Sequence, residues 1–143
     1  MLGFSSAPVD GIATIQEVSD LITVTPQGNF AIVECTTGIL KQDNKLPKLL
    51  DRAIKVQKKL SATNSNISKV LPVLVTSKSR ENISVELPAA EESGALVIAS
   101  EDLEHLLSIV SMNKDADEIY TTWHQKAHDA KIKHQNSNIT SYI

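Results

Sequence analysis

Aromatic residues make up only 3% of the 143-residue sequence. Such a chain is poor in the ring surfaces on which proteins stack single-stranded nucleic acid, and Ile, Leu and Val must fill its core. The one cysteine, Cys35, excludes an internal disulfide, and the apolar runs are far shorter than the ~20 residues that cross a bilayer. The N-terminal residues have neither the basic nor the apolar segment of a secretory signal. We therefore expect a cytoplasmic protein with no membrane partner.

Hydrophobic residues make up 41% of the sequence and charged residues 22%, proportions typical of one globular domain. Runs rich in β-branched residues predict strands, and apolar residues recurring at intervals of three and four predict helices. The predicted elements, in order, are strands at 11–17, 20–25 and 30–36, a helix at 44–60, a strand at 70–76, a short helix at 88–93, a strand at 95–99 and helices that begin at Ser100 and Asp115. This order predicts a single domain over residues 1–143, of α/β or α+β class, with a polar tail after Lys133.

Two carboxylates, Asp20 and Glu34, meet in the predicted hairpin. A turn centred on residue 27 places Phe30 opposite Val24 and Glu34 opposite Asp20. Like charges directly across a ladder repel, and a buried carboxylate without a partner is costly, so a cation between the two is expected. Mg²⁺, or Mn²⁺ in its place, fits as a hard ion that carboxylates bind. In the alternative, Asp20 lies in solvent before the strand and Glu34 pairs with a lysine.

The net charge of −3 conceals a strongly basic segment. Residues 41–59 contain seven basic and two acidic residues, which gives this segment a charge of +5. Five of the basic residues recur at intervals of three and four and form one basic ridge on the predicted helix: Lys45, Lys48, Arg52, Lys55 and Lys59. Such a ridge is suited to contacts with the phosphates of DNA. The alternative is a solvated helix face.

One segment begins at Asp20, continues through Glu34-Cys35-Thr36 and leads into a basic, leucine-rich helix and a buried strand. This segment resembles the PD-(D/E)xK superfamily. Its members are restriction-endonuclease-like, metal-dependent nucleases. The resemblance covers about residues 10–76 and implies an α/β fold, a mixed sheet with a βββ-α-β core flanked by helices. The nuclease-like core then spans about 10–100, with C-terminal helices over about 101–133. The resemblance further implies that Asp20 and Glu34 bind Mg²⁺ or Mn²⁺ and that Cys35 contributes only its backbone carbonyl.

The sequence departs from the superfamily pattern in two places. Thr36 stands where the motif has its catalytic lysine, and a threonine hydroxyl carries no positive charge. Some members supply this lysine from the following helix, which implies a catalytic role for Lys45 or Lys48. The residues before Asp10 are too few for the first core helix of the family, so we expect it to be absent or contributed by a partner chain. A missing layer leaves one sheet face exposed, which predicts a homodimer.

The resemblance predicts a Mg²⁺-dependent phosphodiesterase that acts on or binds DNA. One alternative is a catalytically inactive nuclease-fold module used for binding or assembly, and another is an unrelated α/β interaction protein. The Cys35 thiol is expected to be buried in its strand and inert. His124 and His128 are four residues apart, but neither a HExxH motif nor a cysteine cluster accompanies them, which disfavours zinc.

Overall fold

The computed structural model describes residues 5–8, 21–38, 44–63, 69–110, 112 and 115–140. The elements follow the chain in the order β1 (Ser5–Pro8), β2 (Leu21–Val24), β3 (Phe30–Thr36), α1 (Lys45–Thr63), β4 (Leu71–Thr76), α2 (Leu87–Glu92), β5 (Leu96–Ile98), α3 (Ser100–Val110) and α4 (Ala116–Thr140). No helix in these ranges is both long and apolar enough to cross a membrane.

The five strands form one mixed sheet in the order β1-β2-β3-β4-β5. The strand β2 is antiparallel to both of its neighbours, β1 and β3, whereas β3, β4 and β5 run parallel to one another. Parallel neighbours need a crossover, and α1 provides it between β3 and β4 as α2 does between β4 and β5. The predicted α/β architecture, a mixed sheet flanked by helices, is confirmed.

The hairpin of β2 and β3 has the predicted register. Val24 pairs with Phe30, and the ladder continues to the pair of Leu21 with Val33. Gly28 closes the turn with a φ of +83°, which a residue without a Cβ adopts at low cost, and its N–H donates to the Thr25 carbonyl over 2.9 Å. The predicted pairing of Asp20 with Glu34 is not tested, because Asp20 lies outside the described residues.

Alternation along the strands sends side chains to two separate apolar layers. The layer under α1 and α2 contains Ile32, Leu49, Ala53, Leu74, Ile83, Ala90 and Val97. The layer under α3 and α4 contains Ala31, Val33, Val73, Ile98, Ile119, Tyr120 and Trp123. Helices therefore pack on both faces of the central strands. The uncovered face from which we predicted a homodimer is occupied by α3 and α4, the helices expected only to elaborate the core, so that reason for a dimer does not hold.

Three element predictions differ from the structure or lie outside it. The strand β1 was not predicted, whereas the strand expected at 11–17 lies outside the described residues. The last helix continues to Thr140 instead of ending near Lys133. Its sequence contains neither Gly nor Pro, and His134 ties it to α2 through a 2.7 Å contact between Nε2 and an oxygen of Glu91. Residues that look like a polar tail are therefore helical because one end of the helix is anchored.

Candidate functional site

Glu34 is a buried carboxylate in the second half of β3. Its side chain points to the α1 face of the sheet, as does that of Ile32 two residues earlier. The residue is only 4% exposed. A carboxylate at this depth keeps its charge only if other groups replace the water it has lost.

Two basic side chains from α1 replace that water. The Lys45 ammonium nitrogen lies 2.8 Å from Glu34 Oε1, and an Arg52 guanidinium nitrogen lies 2.8 Å from Oε2. The Lys45 side chain is 27% exposed and the Arg52 side chain 16%, so the pair with Arg52 is the better shielded. We call Glu34, Lys45 and Arg52 the Glu34 cluster. With one negative and two positive groups, it has a net charge of +1.

Helical geometry explains why these two members of the basic ridge turn inward. At 100° per residue, positions seven apart differ by only ~20°, so Lys45 and Arg52 lie almost on one line along α1. Lys48 and Lys55 lie roughly 60–80° away from Lys45 and are exposed. Lys59 lies on the same line as Arg52 but about 10 Å farther along the helix axis, and it is exposed as well. Lys55 Nζ contacts Asp51 over 2.6 Å at the surface. The predicted single ridge thus consists of two residues that contact Glu34 and three that face solvent.

A groove lies at the carboxyl ends of β3 and β4, beside the Glu34 cluster. Its walls include Cys35, Thr36, Thr37, Lys45 and Ser77. Open parallel sheets bind their ligands outside the carboxyl ends of the strands, so this is the position where an α/β fold of this kind presents a site. We call it the carboxyl-edge groove. Lys45 belongs to both the groove and the Glu34 cluster.

Hydroxyl groups fix the two loops that form the rim of this groove. The Thr36 hydroxyl accepts a hydrogen bond from the Gly38 N–H over 3.2 Å. The buried Thr76 hydroxyl donates to the Gly38 carbonyl over 3.2 Å and accepts from the Lys78 N–H over 3.1 Å. Thr36, which stands at the motif position of the lysine, therefore closes a turn and links the end of β3 to the end of β4.

The other predicted site residues are placed as follows. Asp20 lies outside the described residues. Lys48 is exposed on α1, whereas Lys45 and Arg52 are the residues that form ion pairs with Glu34 in the described ranges. Cys35 is exposed, so the prediction of a buried core thiol is wrong. The reason is alternation: its side chain points away from the α1 face near the end of β3, beyond the apolar layer that covers Val33.

Metal-binding side chains do not gather elsewhere in the described ranges. Among these residues, no group of three or more His, Cys, Asp and Glu side chains is arranged to hold a metal ion. His124 and His128 line a different pocket at the opposite edge of the sheet.

The inward role of Arg52 was not predicted, since the sequence pattern assigned this residue to phosphate contacts. Two signals pointed to it: an acid at the end of an apolar strand, and two basic residues seven positions apart on the helix that follows. A second ion network was not predicted either. In it, Arg80 contacts an oxygen of Asp102 over 2.8 Å and the Val97 carbonyl over 3.3 Å. It joins the residues after β4 to α3, and no sequence pattern predicted it.

Comparison with protein-family models, curated proteins and solved structures gives no match for this chain.

Proposed function

We propose that the chain is a metal-dependent phosphodiesterase that acts on DNA, with its reaction centre at the Glu34 cluster. The observation that carries the proposal is the 2.8 Å contact between the Lys45 ammonium and the Glu34 carboxylate, beside the carboxyl-edge groove. A strand glutamate together with a lysine is the pair that PD-(D/E)xK nucleases use. Here α1 supplies the lysine that is missing at Thr36.

The donor atoms suit Mg²⁺ or Mn²⁺. Glu34 offers carboxylate oxygens, which these ions prefer, and Asp20 is the second acid of the proposed site. Each Glu34 oxygen accepts one hydrogen bond and keeps a lone pair, but a divalent cation there is repelled by the two positive groups, so we infer that one of them moves away. Lys45 is the more exposed partner and has a flexible stem, and it is the one that moves. We assign Asp20, Glu34 and the Cys35 carbonyl as ligands, and a bound ion supplies Lewis-acid chemistry at the phosphodiester.

The basic side chains of α1 orient the carboxylate and bind phosphate groups in this proposal. Arg52 continues to hold Glu34 Oε2 and keeps the carboxylate oriented while Lys45 turns to the groove. There the Lys45 ammonium binds a non-bridging phosphate oxygen and stabilises the negative charge that grows in the transition state. The exposed lysines of α1, Lys48 and Lys59, contact neighbouring phosphates, so binding of DNA weakens steeply as salt rises.

The proposal is tested by cleavage of labelled single-stranded and duplex DNA in the presence of Mg²⁺ or Mn²⁺. We expect the wild type to cut in either ion and to be inactive in excess chelator. Asp20→Asn abolishes cleavage, and Lys45→Gln lowers it by about 10²-fold or more, the cost of one lost transition-state donor. Lys55→Gln, the same change at an exposed position of the same helix, is the matched control and retains cleavage within a few-fold. A wild type that cuts no substrate in either ion, or full activity in Lys45→Gln, contradicts the proposal.

A second candidate is a nuclease-fold module that binds without cutting. The observation in its favour is that the Glu34 cluster is complete without a metal, because Lys45 and Arg52 satisfy both carboxylate oxygens. Thermal melting separates the two. A metal site stabilises the fold by RT ln(1 + [L]/Kd), about 2.7 kcal/mol at a hundredfold excess over Kd, whereas the module shows no response to Mn²⁺. Asp20→Asn removes the Mn²⁺ response if the cation binds as proposed.

A further inference from the structure

A second pocket lies at the opposite end of the parallel strands. The strand β5 pairs with β4 only from Val73 onward, where its partner is Leu96, so Leu71 and Pro72 have no β5 partner in the ladder. The turn at Gly94 and one face of α4 border the space beside them, which measures about 260 Å³. We call this space the amino-edge pocket. Along β4, ~3.3 Å per residue separates it by roughly 17 Å from the carboxyl-edge groove.

Four basic side chains surround the amino-edge pocket. Three come from one face of α4, because His124, His128 and Lys131 are spaced by four and three residues. The fourth, Lys69, comes from the segment that leads into β4. Two elements far apart in sequence therefore bring basic groups to one place. A solvated helix face alone does not account for the contribution of Lys69.

The segment that carries Lys69 is held from both faces of the sheet. The Tyr120 hydroxyl of α4 donates to the Lys69 carbonyl over 2.8 Å, and the Val70 N–H donates to the Gln57 side-chain oxygen of α1. The Tyr120 ring stacks on the ring of His124 with centroids 6.2 Å apart. These contacts fix the backbone beside the pocket and one of its imidazoles, so little order must be gained when a ligand binds.

The charge of the pocket is not neutralised from within. None of the residues that line it is acidic, and within the described ranges Lys69 and Lys131 take part in no salt bridge. Two acids on the neighbouring helices face other groups: Glu91 contacts His134, and Asp129 accepts a hydrogen bond from Gln125 over 2.7 Å. This arrangement is the reverse of the Glu34 cluster, where the basic groups enclose an acid of the chain itself. In a molecule of net charge −3, a pocket with only basic groups is a local attractor for anions.

We propose that the amino-edge pocket binds a phosphate group. Lysines act as mobile point charges toward phosphate, and imidazole N–H groups add directed donors. The basic lining also continues onto α1, since Lys58 and Lys69 border the adjoining groove that reaches Pro72. A phosphate on a nucleotide or at the end of a nucleic acid chain fits this shape, because the ester can follow that groove. The proposal is independent of the phosphodiesterase function proposed above.

The experiment measures binding to the intact chain by calorimetry at low salt. The probes are inorganic phosphate, a nucleoside monophosphate, and one oligonucleotide prepared with and without a 5′-phosphate. We expect binding of the phosphate-bearing probes. Each of Lys69→Gln and Lys131→Gln weakens it by about tenfold or more, the usual effect of losing one charge-assisted hydrogen bond. Lys133→Gln, the same change on the exposed side of α4, is the control and keeps wild-type affinity.

The probes distinguish the source of the phosphate. Equal affinity for inorganic phosphate and the nucleotide assigns a free small anion, whereas tighter binding of the 5′-phosphorylated oligonucleotide than of its unphosphorylated form assigns a nucleic acid end. Absence of binding to every phosphate probe overturns the proposal, as does unchanged affinity in the Lys69→Gln/Lys131→Gln double variant. Asp20→Asn removes any cleavage without altering binding at this pocket, so failure here and failure of the proposed nuclease are separate results.

Discussion

Removal of the buried charge in Glu34→Gln tests the Glu34 cluster directly. The amide keeps the shape and one acceptor of the carboxylate but removes the negative charge that Lys45 and Arg52 contact. Each hydrogen bond to a charged group contributes about 1.5–3 kcal/mol. We discount the Lys45 bond because that side chain is 27% exposed and therefore partly hydrated. The expected loss is about 3 kcal/mol in the free energy of unfolding, at the lower end of values for broken buried ion pairs.

The assay is urea unfolding combined with thermal melting in metal-free buffer. Unfolding entropy of about 2.1 cal/mol/K per residue over this length converts the loss to a fall in Tm of roughly 10 °C. Arg52→Gln is expected to cost nearly as much, and the Glu34→Gln/Arg52→Gln double variant less than the sum, with a coupling energy of about 1–2 kcal/mol. Lys48→Gln, at an exposed position of α1, is the matched control and stays within about 0.5 kcal/mol of wild type.

Two results refute this reasoning. If the two single costs add in the double variant, Glu34 and Arg52 do not act as a pair. If Glu34→Gln melts higher than wild type in metal-free buffer, repulsion from a second acid outweighs the stabilisation by Lys45 and Arg52. That second outcome is what a dominant repulsion between Asp20 and Glu34 predicts. The sign of the change in Tm therefore distinguishes the two interpretations of Glu34.

Two other predictions concern stability and assembly. Burial raises the pKa of Tyr120 above its ordinary value of 10, so the neutral hydroxyl stabilises the fold below pH ~10 and this contribution is lost as the pH rises above it. Tyr120→Phe therefore costs about 1 kcal/mol at pH 7 in urea unfolding and flattens the alkaline loss; an unchanged pH profile contradicts the assignment. The homodimer expected from the sequence stays a prediction, and the surface that tests it contains two exposed apolar side chains, Leu107 at 72% and Met112 at 71%. Light scattering at micromolar concentration should give twice 15.6 kDa for the wild type and 15.6 kDa for Leu107→Lys, and a monomeric wild type removes the proposal.

Local sequence signals were sufficient for much of the fold. The turn Pro26–Asn29 sets the hairpin register, because Gly28 supplies the one positive φ that the turn requires and the strands on either side alternate in phase. The apolar stripe of α1 fixed which face of that helix packs on the sheet, as Leu49 and Ala53 show. Both signals lie within a few residues of the structure they specify.

Features that join distant segments left no comparable signal. The strand β1 is only four residues long, which is too short for a sequence pattern to predict its pairing with β2. The packing of α4 on the sheet joins Trp123 to strands that lie far earlier in the chain. This packing is why the prediction of an uncovered sheet face is wrong. The Arg80 network is of the same kind. Tertiary contacts decide such features, and periodicity within one segment does not encode them.

The two interpretations of Glu34 are linked by its burial. A carboxylate that is 4% exposed needs counter-charge whether or not a metal is present, because its ionised form is otherwise destabilised. Lys45 and Arg52 meet that need in the chain alone, and their seven-residue spacing allows both to do so from one helix. If a divalent cation were to bind Glu34 as proposed, Lys45 would be the partner released, and its ammonium would lie beside the carboxyl-edge groove. The proposed site would then use the ion pair as its metal-free state, and the response of Tm to Mn²⁺ decides whether that exchange takes place.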